Sequence, residues 1–307
     1  MWESAGNRSI AFARHVARRV AAASCAAALV VLPGCTAVRI GYDNADTLLV
    51  YTFDNYLDLD DAQADFLRQR ARALLDWHRA SQLPDYVRTL EGVEAQVSGG
   101  AVEPADVLGF IRLLDDRLVA IGEQAAPDLA QLAATLQPPQ VDRLQQKLAV
   151  EAAKSCRPQD HRDDVGRRVE RFADRASSWF GGLTAPQLDL VRASMEARPE
   201  AARDWCDEVD QRGRDLAALV RRIGSERPDE AQAAAWVRDY VASLPSPADP
   251  ARRAFLEDNR RANAALIAQL IQTSSARQRA ALKRRLAQYV EDFSALAIER
   301  VRDGGPG

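Results

Sequence analysis

The chain has 307 residues, of which 47% are hydrophobic and 28% are charged, and its formal net charge is −3. This length suffices for one large domain or two modest ones. The acidic balance argues against nucleic-acid binding, because the recognition of phosphates needs a basic surface.

The first predicted element is a cleavable signal peptide at residues 1–34. An apolar run that starts at Val20 ends in Leu-Pro-Gly-Cys at Cys35, the pattern of a bacterial lipobox, and four arginines precede it. The run is too short to span a bilayer, since a spanning helix needs roughly 20 apolar residues. We therefore predict that diacylglycerol and N-acyl lipid are attached covalently to the Cys35 thiol. The alternative is a chance match in which Cys35 is a buried or spare thiol.

The residue after Cys35 is Thr36 and not aspartate. In lipoproteins of Gram-negative bacteria this usually accompanies transfer to the outer membrane. We expect the protein on the periplasmic face of that membrane, with the inner membrane as the alternative. Removal of residues 1–34, which carry four arginines and one glutamate, would change the net charge from −3 to −6.

The rest of the chain predicts an all-α fold, an elongated multi-helix bundle of about ten helices, because apolar residues recur every three or four positions. Residues 35–42 are expected to form the lipidated anchor and a short linker, 43–303 a helical periplasmic domain, and 304–307 a flexible tail. The predicted helical segments are 43–58, 60–82, 84–97, 104–123, 127–136, 138–156, 160–180, 186–197, 199–223, 228–244, 249–272 and 275–302.

Four of these helix starts share a glutamine three positions after a capping position. The capping positions are Asp60, Gln137, Thr184 and Ser275, and the glutamines are Gln63, Gln140, Gln187 and Gln278. In a capping box the glutamine side chain accepts a hydrogen bond from the backbone N–H of the cap. Apolar residues four and eight positions later predict the start of each buried stripe. They are Leu67, Ala71, Leu144, Leu148, Val191, Met195, Leu282 and Leu286.

The third copy, Leu-Thr-Ala-Pro-Gln at 183–187, resembles the Leu-Thr-x-x-Gln signature of small periplasmic chaperones and envelope-stress sensors, which are helical and cradle-shaped. The other copies depart from it, since Asp60 and Gln137 replace the threonine and the fourth copy lacks the leucine. The resemblance implies a chaperone or stress sensor as an alternative function.

A broader resemblance covers most of the chain after the lipobox. Residues 40–49 read Ile-Gly-Tyr-Asp-Asn-Ala-Asp-Thr-Leu-Leu, and residues 56–63 read Tyr-Leu-Asp-Leu-Asp-Asp-Ala-Gln. This order, a lipobox, a Gly-Tyr-x-Asn-Ala-Asp stretch, a Leu-Asp-x-x-Gln helix start and later Thr-x-x-Gln helices, is similar to a family of uncharacterised proteobacterial lipoproteins. The resemblance implies an envelope location and a helical fold, and it transfers no catalytic residue.

Two cysteines remain after the signal and the lipid site, Cys156 and Cys206. An even pair in an oxidising compartment predicts a disulfide. Two unpaired structural thiols are the alternative.

A candidate partner-binding surface follows the anchor, where Tyr51 and Tyr56 stand beside the acidic residues Asp58, Asp60 and Asp61. A calcium loop counted from Asp58 fails, because its sixth position is a glutamine where a glycine is needed. Helix capping is the alternative explanation of these carboxylates.

Other aromatic and basic residues have simpler interpretations. The tryptophans at 77, 179, 205 and 236 would fit a cleft, but helical spacing favours core positions. The basic face at 277–285 would fit lipid headgroups, but a solvated face is favoured.

No catalytic motif is recognisable. His161-Arg162-Asp163 imitates a kinase triplet, but Arg168 stands where asparagine is needed and no phosphate loop precedes it. We predict no metal site, no cofactor besides the lipid, and no enzymatic activity.

The sequence thus predicts a protein-binding or scaffold component of the cell envelope, held to the membrane by its lipid and engaging an envelope protein. A hydrolase of cell-wall or lipid material is a remote alternative.

Overall fold

The computed structural model describes residues 35–100, 102–155 and 161–303. Over these ranges the chain forms twelve helices and no strand, which confirms the all-α prediction. The predicted signal peptide at 1–34, the tail at 304–307 and Cys156 lie outside the described residues. The helices are α1 (Cys35–Asp43), α2 (Ala45–Leu57), α3 (Asp61–Ser81), α4 (Leu83–Gly99), α5 (Pro104–Thr135), α6 (Pro138–Ser155), α7 (His161–Phe180), α8 (Ala185–Glu196), α9 (Ala201–Glu226), α10 (Glu230–Ser243), α11 (Pro250–Gln272) and α12 (Ala276–Asp303).

The chain divides into two compact units, with the boundary after Asp43. Within the first unit the described residues form α1, where the sequence predicts a short linker. The second unit contains α2–α12 and everything described below.

Local chemistry accounts for several helix boundaries. Asp229 and Asp249 cap α10 and α11 by accepting from the backbone N–H of Gln232 at 2.8 Å and of Arg252 at 2.9 Å. Gly100 follows α4 with a φ of 81°, a left-handed conformation that glycine adopts without a Cβ clash.

The predicted break at Pro127 is wrong, because α5 runs through it as one helix of 32 residues. An interior proline removes one backbone hydrogen bond and costs about 3 kcal/mol. Packing offsets this cost, since Ala126, Ala130 and Ala133 are buried on both sides of the proline. The continuity of α5 through Pro127 therefore depends on tertiary contacts.

The four glutamines of the predicted capping boxes meet in two pairs. Gln63 and Gln140 form the first junction, in which Gln140 Nε2 donates to Gln63 Oε1 at 2.7 Å and Gln63 Nε2 donates to Gln140 Oε1 at 3.2 Å. Gln187 and Gln278 form the second junction, with corresponding distances of 2.7 and 3.4 Å. Each junction thus joins two helix starts that are far apart in the chain.

The glutamine half of the predicted capping box is confirmed at all four helix starts. The glutamine Oε1 atoms accept from the backbone N–H of Asp60 at 3.1 Å and from those of Gln137, Thr184 and Ser275 at 2.9 Å each. Seven of the eight apolar residues in the predicted stripes are buried, and Leu148 is half-buried.

The helices around the two junctions repeat one arrangement. At the first junction α2 packs on α3 and α6, and α3 packs on α5; at the second, α7 packs on α8 and α12, and α8 packs on α11. The helices α2, α3, α5 and α6 are called the first set, and α7, α8, α11 and α12 the second set. The second unit therefore contains the same four-helix arrangement twice.

One inserted helix of each set packs against the last helix of the other set. Helix α4 lies between α3 and α5 in the chain and packs on α12, while α9 lies between α8 and α11 and packs on α6. The first set, α9 and α10 bury a first core, and the second set and α4 bury a second core. Helix α5 contributes Val107 to the second core and its C-terminal half to the first.

Candidate functional site

The predicted partner-binding surface has mixed roles in the structure. Tyr51 is 71% exposed and Asp61 is exposed in the first turn of α3. Tyr56 is half-buried against the first core. Asp60 caps α3 by accepting from Gln63 N at 2.8 Å, and the backbone carbonyl of Asp58 accepts from Gln140 Nε2 at 2.9 Å. Two members of this surface therefore contribute to the first junction.

Neither α1 nor any other described helix is long and apolar enough to cross a membrane. In the described ranges no group of three or more His, Cys, Asp or Glu side chains is placed to hold a metal ion.

An open cleft of about 1040 Å³ lies in the second unit. We call it the arginine cleft. It is lined by the C-terminal part of α6, by α7, by the connection from α8 to α9, by the start of α9 and by the middle of α11. Its basic lining residues are Lys154, Arg167, Arg168, Arg171, Arg175, Arg198 and Arg203.

Three of these arginines form a stripe on α7. Arg167, Arg171 and Arg175 are spaced by four residues, which places them on one side of the helix. None of the three guanidinium groups makes a hydrogen bond or ion pair with another side chain in the described part of the chain. Like charges at this spacing destabilise a helix by a few tenths of a kcal/mol per pair. A bound anion would offset that repulsion.

Two further arginines stand where α8 ends. Arg168 Nη1 donates to the Arg198 carbonyl at 3.2 Å, and Arg198 Nη1 donates to Asn259 Oδ1 at 3.1 Å. Burial lowers the pKa of Arg198, and the neighbouring Arg168 charge lowers it further. The positive charge at this end of the cleft is therefore fixed in position.

The start of α9 adds a positive dipole end to the cleft. Glu200 occupies the cap position but its side chain makes no capping hydrogen bond, and Ala201 and Ala202 line the cleft. The Ala201 N–H donates to the Arg198 carbonyl at 3.3 Å, so the first turn is only partly open to other acceptors.

Helix α9 also contributes an aromatic side chain and carboxylates. Trp205 is 43% exposed, and the guanidinium of Arg212 lies 5.7 Å from its ring centroid. Arg212 is itself held by Glu208 Oε1 at 2.6 Å and by the Leu244 carbonyl at 2.8 Å. Asp207 and Asp210 line the same side of the cleft.

Cys206, half-buried on α9, lines the cleft together with Lys154. Lys154 and Cys206 thus lie on the walls of one cleft. The Cys156–Cys206 disulfide stays a prediction, because Cys156 lies outside the described residues.

Sequence reasoning missed the α7 arginines, although their four-residue spacing was a signal that it could have used. Trp205, interpreted from the sequence as a core residue, is instead partly exposed in the cleft. Trp179 packs against the second core and Trp236 against the first.

No histidine is among the described residues that line the cleft. His78 lies elsewhere, where its Nε2 is 3.3 Å from the Tyr86 hydroxyl, and burial lowers the pKa of its imidazole.

The fold and the cleft define an all-α protein with an open, arginine-rich cleft. A scan against known families matches residues 55–229 to DUF6279, a family of unknown function. The match covers more than half of the chain, so the chain belongs to this family. Searches among curated proteins and among solved structures found no match.

Proposed function

We propose that this protein is a lipid-anchored component of the bacterial cell envelope that binds a protein partner and does not catalyse a reaction. The lipid on Cys35 holds the chain at the periplasmic face of the outer membrane, with the inner membrane as the alternative. The helical body acts as a scaffold that presents the arginine cleft to the partner.

The arginine stripe of α7 is the observation that carries this proposal. Three arginines without a described ion-pair partner line a cleft whose other wall carries a partly exposed tryptophan. Arginine and tryptophan are the residue types that most often dominate the binding energy of protein interfaces. Arginine also has no accessible neutral form for proton transfer, so the stripe suits binding better than acid–base chemistry.

Metabolic labelling with a palmitate analogue in a Gram-negative host tests the anchor. We expect label on the full chain and on the Cys206→Ser control, and none on Cys35→Ser, which should also leave the membrane fraction. Label retained by Cys35→Ser, or an unprocessed N-terminus in the wild type, would contradict lipidation at this thiol.

Photo-crosslinking in intact envelopes tests the binding surface. A photoreactive amino acid at Arg175, on the exposed rim of the cleft, should form an adduct with an envelope protein. The same amino acid at Arg277, which is exposed on α12 outside the cleft, is the matched control. Equal adducts at both sites, or none at Arg175, would argue against the cleft as the binding site.

A chaperone or envelope-stress sensor is the second candidate, favoured by one observation. Gln187 accepts from the Thr184 backbone N–H at 2.9 Å, so the residues of the Leu-Thr-x-x-Gln signature form the capping interaction of a helix start. A chaperone should suppress the aggregation of an unfolded client at stoichiometric amounts. No suppression at large molar excess would remove this candidate.

A further inference from the structure

We propose that the occupant of the arginine cleft is an extended polypeptide segment in which acidic residues alternate with aromatic or basic ones. This inference rests on the proposed function, because it gives the chemistry of the partner segment that binds there.

The spacing of the α7 arginines fits such a segment. Successive members of the stripe Arg167, Arg171 and Arg175 are separated by about 6 Å along the helix axis, from a rise of 1.5 Å per residue. In an extended chain every second side chain points to the same side, at intervals of about 6.7 Å. Alternate carboxylates would therefore meet successive guanidinium groups, which bind carboxylates with two parallel hydrogen bonds.

The wall formed by α9 has the opposite character. Asp207 and Asp210 contribute carboxylates there, the latter ion-paired with Arg214, and Trp205 contributes a partly exposed indole. Arg203 also lines this wall, and its charge is balanced by Glu200, whose Oε2 lies 3.0 Å from Arg203 Nη1. Helix α7 packs on α8 and α12 whereas α9 packs on α6 and α11, so the two walls belong to different packing pairs. The α7 wall of the cleft is thus basic, whereas on the α9 wall carboxylates outnumber cations and an aromatic residue is partly exposed.

This asymmetry favours a polypeptide over a phosphate chain or a lipid headgroup. A ligand with negative charge on all sides would face the carboxylates of α9. An extended peptide instead presents alternate side chains to opposite sides. Its acidic residues can face α7 while its basic or aromatic residues face Asp207, Asp210 and Trp205.

The indole of Trp205 is held in place before any ligand binds. Arg212 lies over its ring at 5.7 Å, and the hydrogen bonds of Arg212 to Glu208 and to the Leu244 carbonyl fix that guanidinium. A rigid aromatic side chain loses little conformational freedom on binding. An aromatic residue of the segment would stack on this ring.

Fluorescence anisotropy with a labelled peptide tests the inference, using the full chain purified in detergent. The probe is a peptide in which glutamate alternates with tyrosine and lysine. We expect the double variant R171E/R175E to bind on the order of tenfold more weakly, because two charge-assisted contacts are replaced by repulsion. The matched control R277E/R284E has the same charge change at exposed residues of α12 and should bind as the wild type does.

Competition experiments identify the ligand class. A peptide of the same composition with its glutamates grouped together should bind more weakly, and inorganic polyphosphate or vesicles of anionic phospholipid should not displace the probe. Equal binding of the grouped peptide, efficient displacement by either phosphate source, or an equal loss in R277E/R284E would overturn the inference. If the Arg175 crosslink persists while the alternating peptide does not bind, the proposed function stands and this inference falls.

Discussion

The two glutamine junctions make the same hydrogen bonds but differ in how far they are removed from water. At the second junction both glutamines are buried, with exposures of 1% for Gln187 and 6% for Gln278. At the first junction Gln63 is buried, whereas Gln140 is half-buried. Equal capping chemistry should therefore contribute unequally to stability, because an amide that loses its partner can recover water only where water reaches it.

The two inserted helices α4 and α9 also differ in which junction they accompany. Helix α4 packs on α12 beside the buried second junction, and α9 packs on α6 beside the half-exposed first one. The arginine cleft is lined by α6, by α9 and by helices of the second set, so the proposed binding surface lies where an inserted helix and the repeated arrangement meet.

The largest expected effect concerns the link between α6 of the first set and α9. A Cys156–Cys206 disulfide would stabilise the fold by about 4 kcal/mol in the chain-entropy account of a loop of roughly 50 residues. We expect reduction to lower the free energy of unfolding of the wild type by about this amount. The double variant C156S/C206S should be insensitive to reductant.

Denaturant unfolding with and without reductant measures this effect. If reduction leaves the unfolding midpoint unchanged and both thiols react with a maleimide before reduction, the disulfide prediction is wrong.

The second expected effect compares the junctions directly. Gln187→Ala should destabilise the protein by about 3 kcal/mol, because it removes a helix cap and leaves one N–H of the buried Gln278 amide without an acceptor, while the Gly182 carbonyl keeps the other. Gln140→Ala should cost about 1 kcal/mol, since water can replace its contacts.

Urea unfolding of both single variants checks the order of these effects. Equal losses in the free energy of unfolding would show that the difference in burial does not make the two junctions contribute differently to stability. A double-mutant cycle with Gln278→Ala should give a coupling energy close to that of the hydrogen-bonded pair.

The third effect concerns the ionic contact between α9 and α11. Burial raises the pKa of Glu208, but hydrogen bonds from Arg252 and Arg212 outweigh it and hold the pKa below its usual value. A carboxyl with a lowered pKa in the folded state stabilises the protein above the unfolded pKa, and this stabilisation is lost as the pH falls through the folded pKa. Glu208→Gln should cost about 2 kcal/mol at neutral pH, since both arginines remain partly solvated.

Melting temperatures of the wild type and Glu208→Gln should therefore differ at pH 7 and converge on acidification below the ordinary glutamate pKa of 4.5. Asp210→Asn, at an exposed ion pair with Arg214 on the same helix, is the control and should change little. A constant gap between the wild type and Glu208→Gln across this pH range would contradict the assignment.

The smallest effect distinguishes the two halves of α5. A Cβ at Gly122 would lie 2.5 Å from Val241 Cγ1, where α5 crosses α10 in the first core, whereas a Cβ at Gly109 meets nothing within 4 Å. Gly122→Ala should destabilise by about 1 kcal/mol through overpacking. Gly109→Ala should stabilise by about 0.5–1 kcal/mol through helix propensity.

Thermal unfolding measures both changes, and Val241→Ala should rescue Gly122→Ala in part. If Gly122→Ala stabilises the protein as Gly109→Ala does, the packing of α5 on α10 leaves more space at Gly122 than the structure shows.

Much of the fold could be predicted because its signals are local. Helix capping operates over three residues, and apolar periodicity over two turns, so the all-α class and the four glutamine-capped starts follow from the order of residues alone. The predicted disulfide, lipid anchor and partner-binding surface stay predictions, since the structure tests none of them.

Only the tertiary structure decided which helix starts meet. The pairs Gln63–Gln140 and Gln187–Gln278 span 77 and 91 residues, and a periodic apolar stripe does not specify which helix it packs on. The same holds for Pro127, where packing on both sides keeps α5 whole against its local signal. The arginine cleft, too, exists only because folding brings α7 and α9 around one opening, so its charge pattern is spread over segments that are distant in the chain.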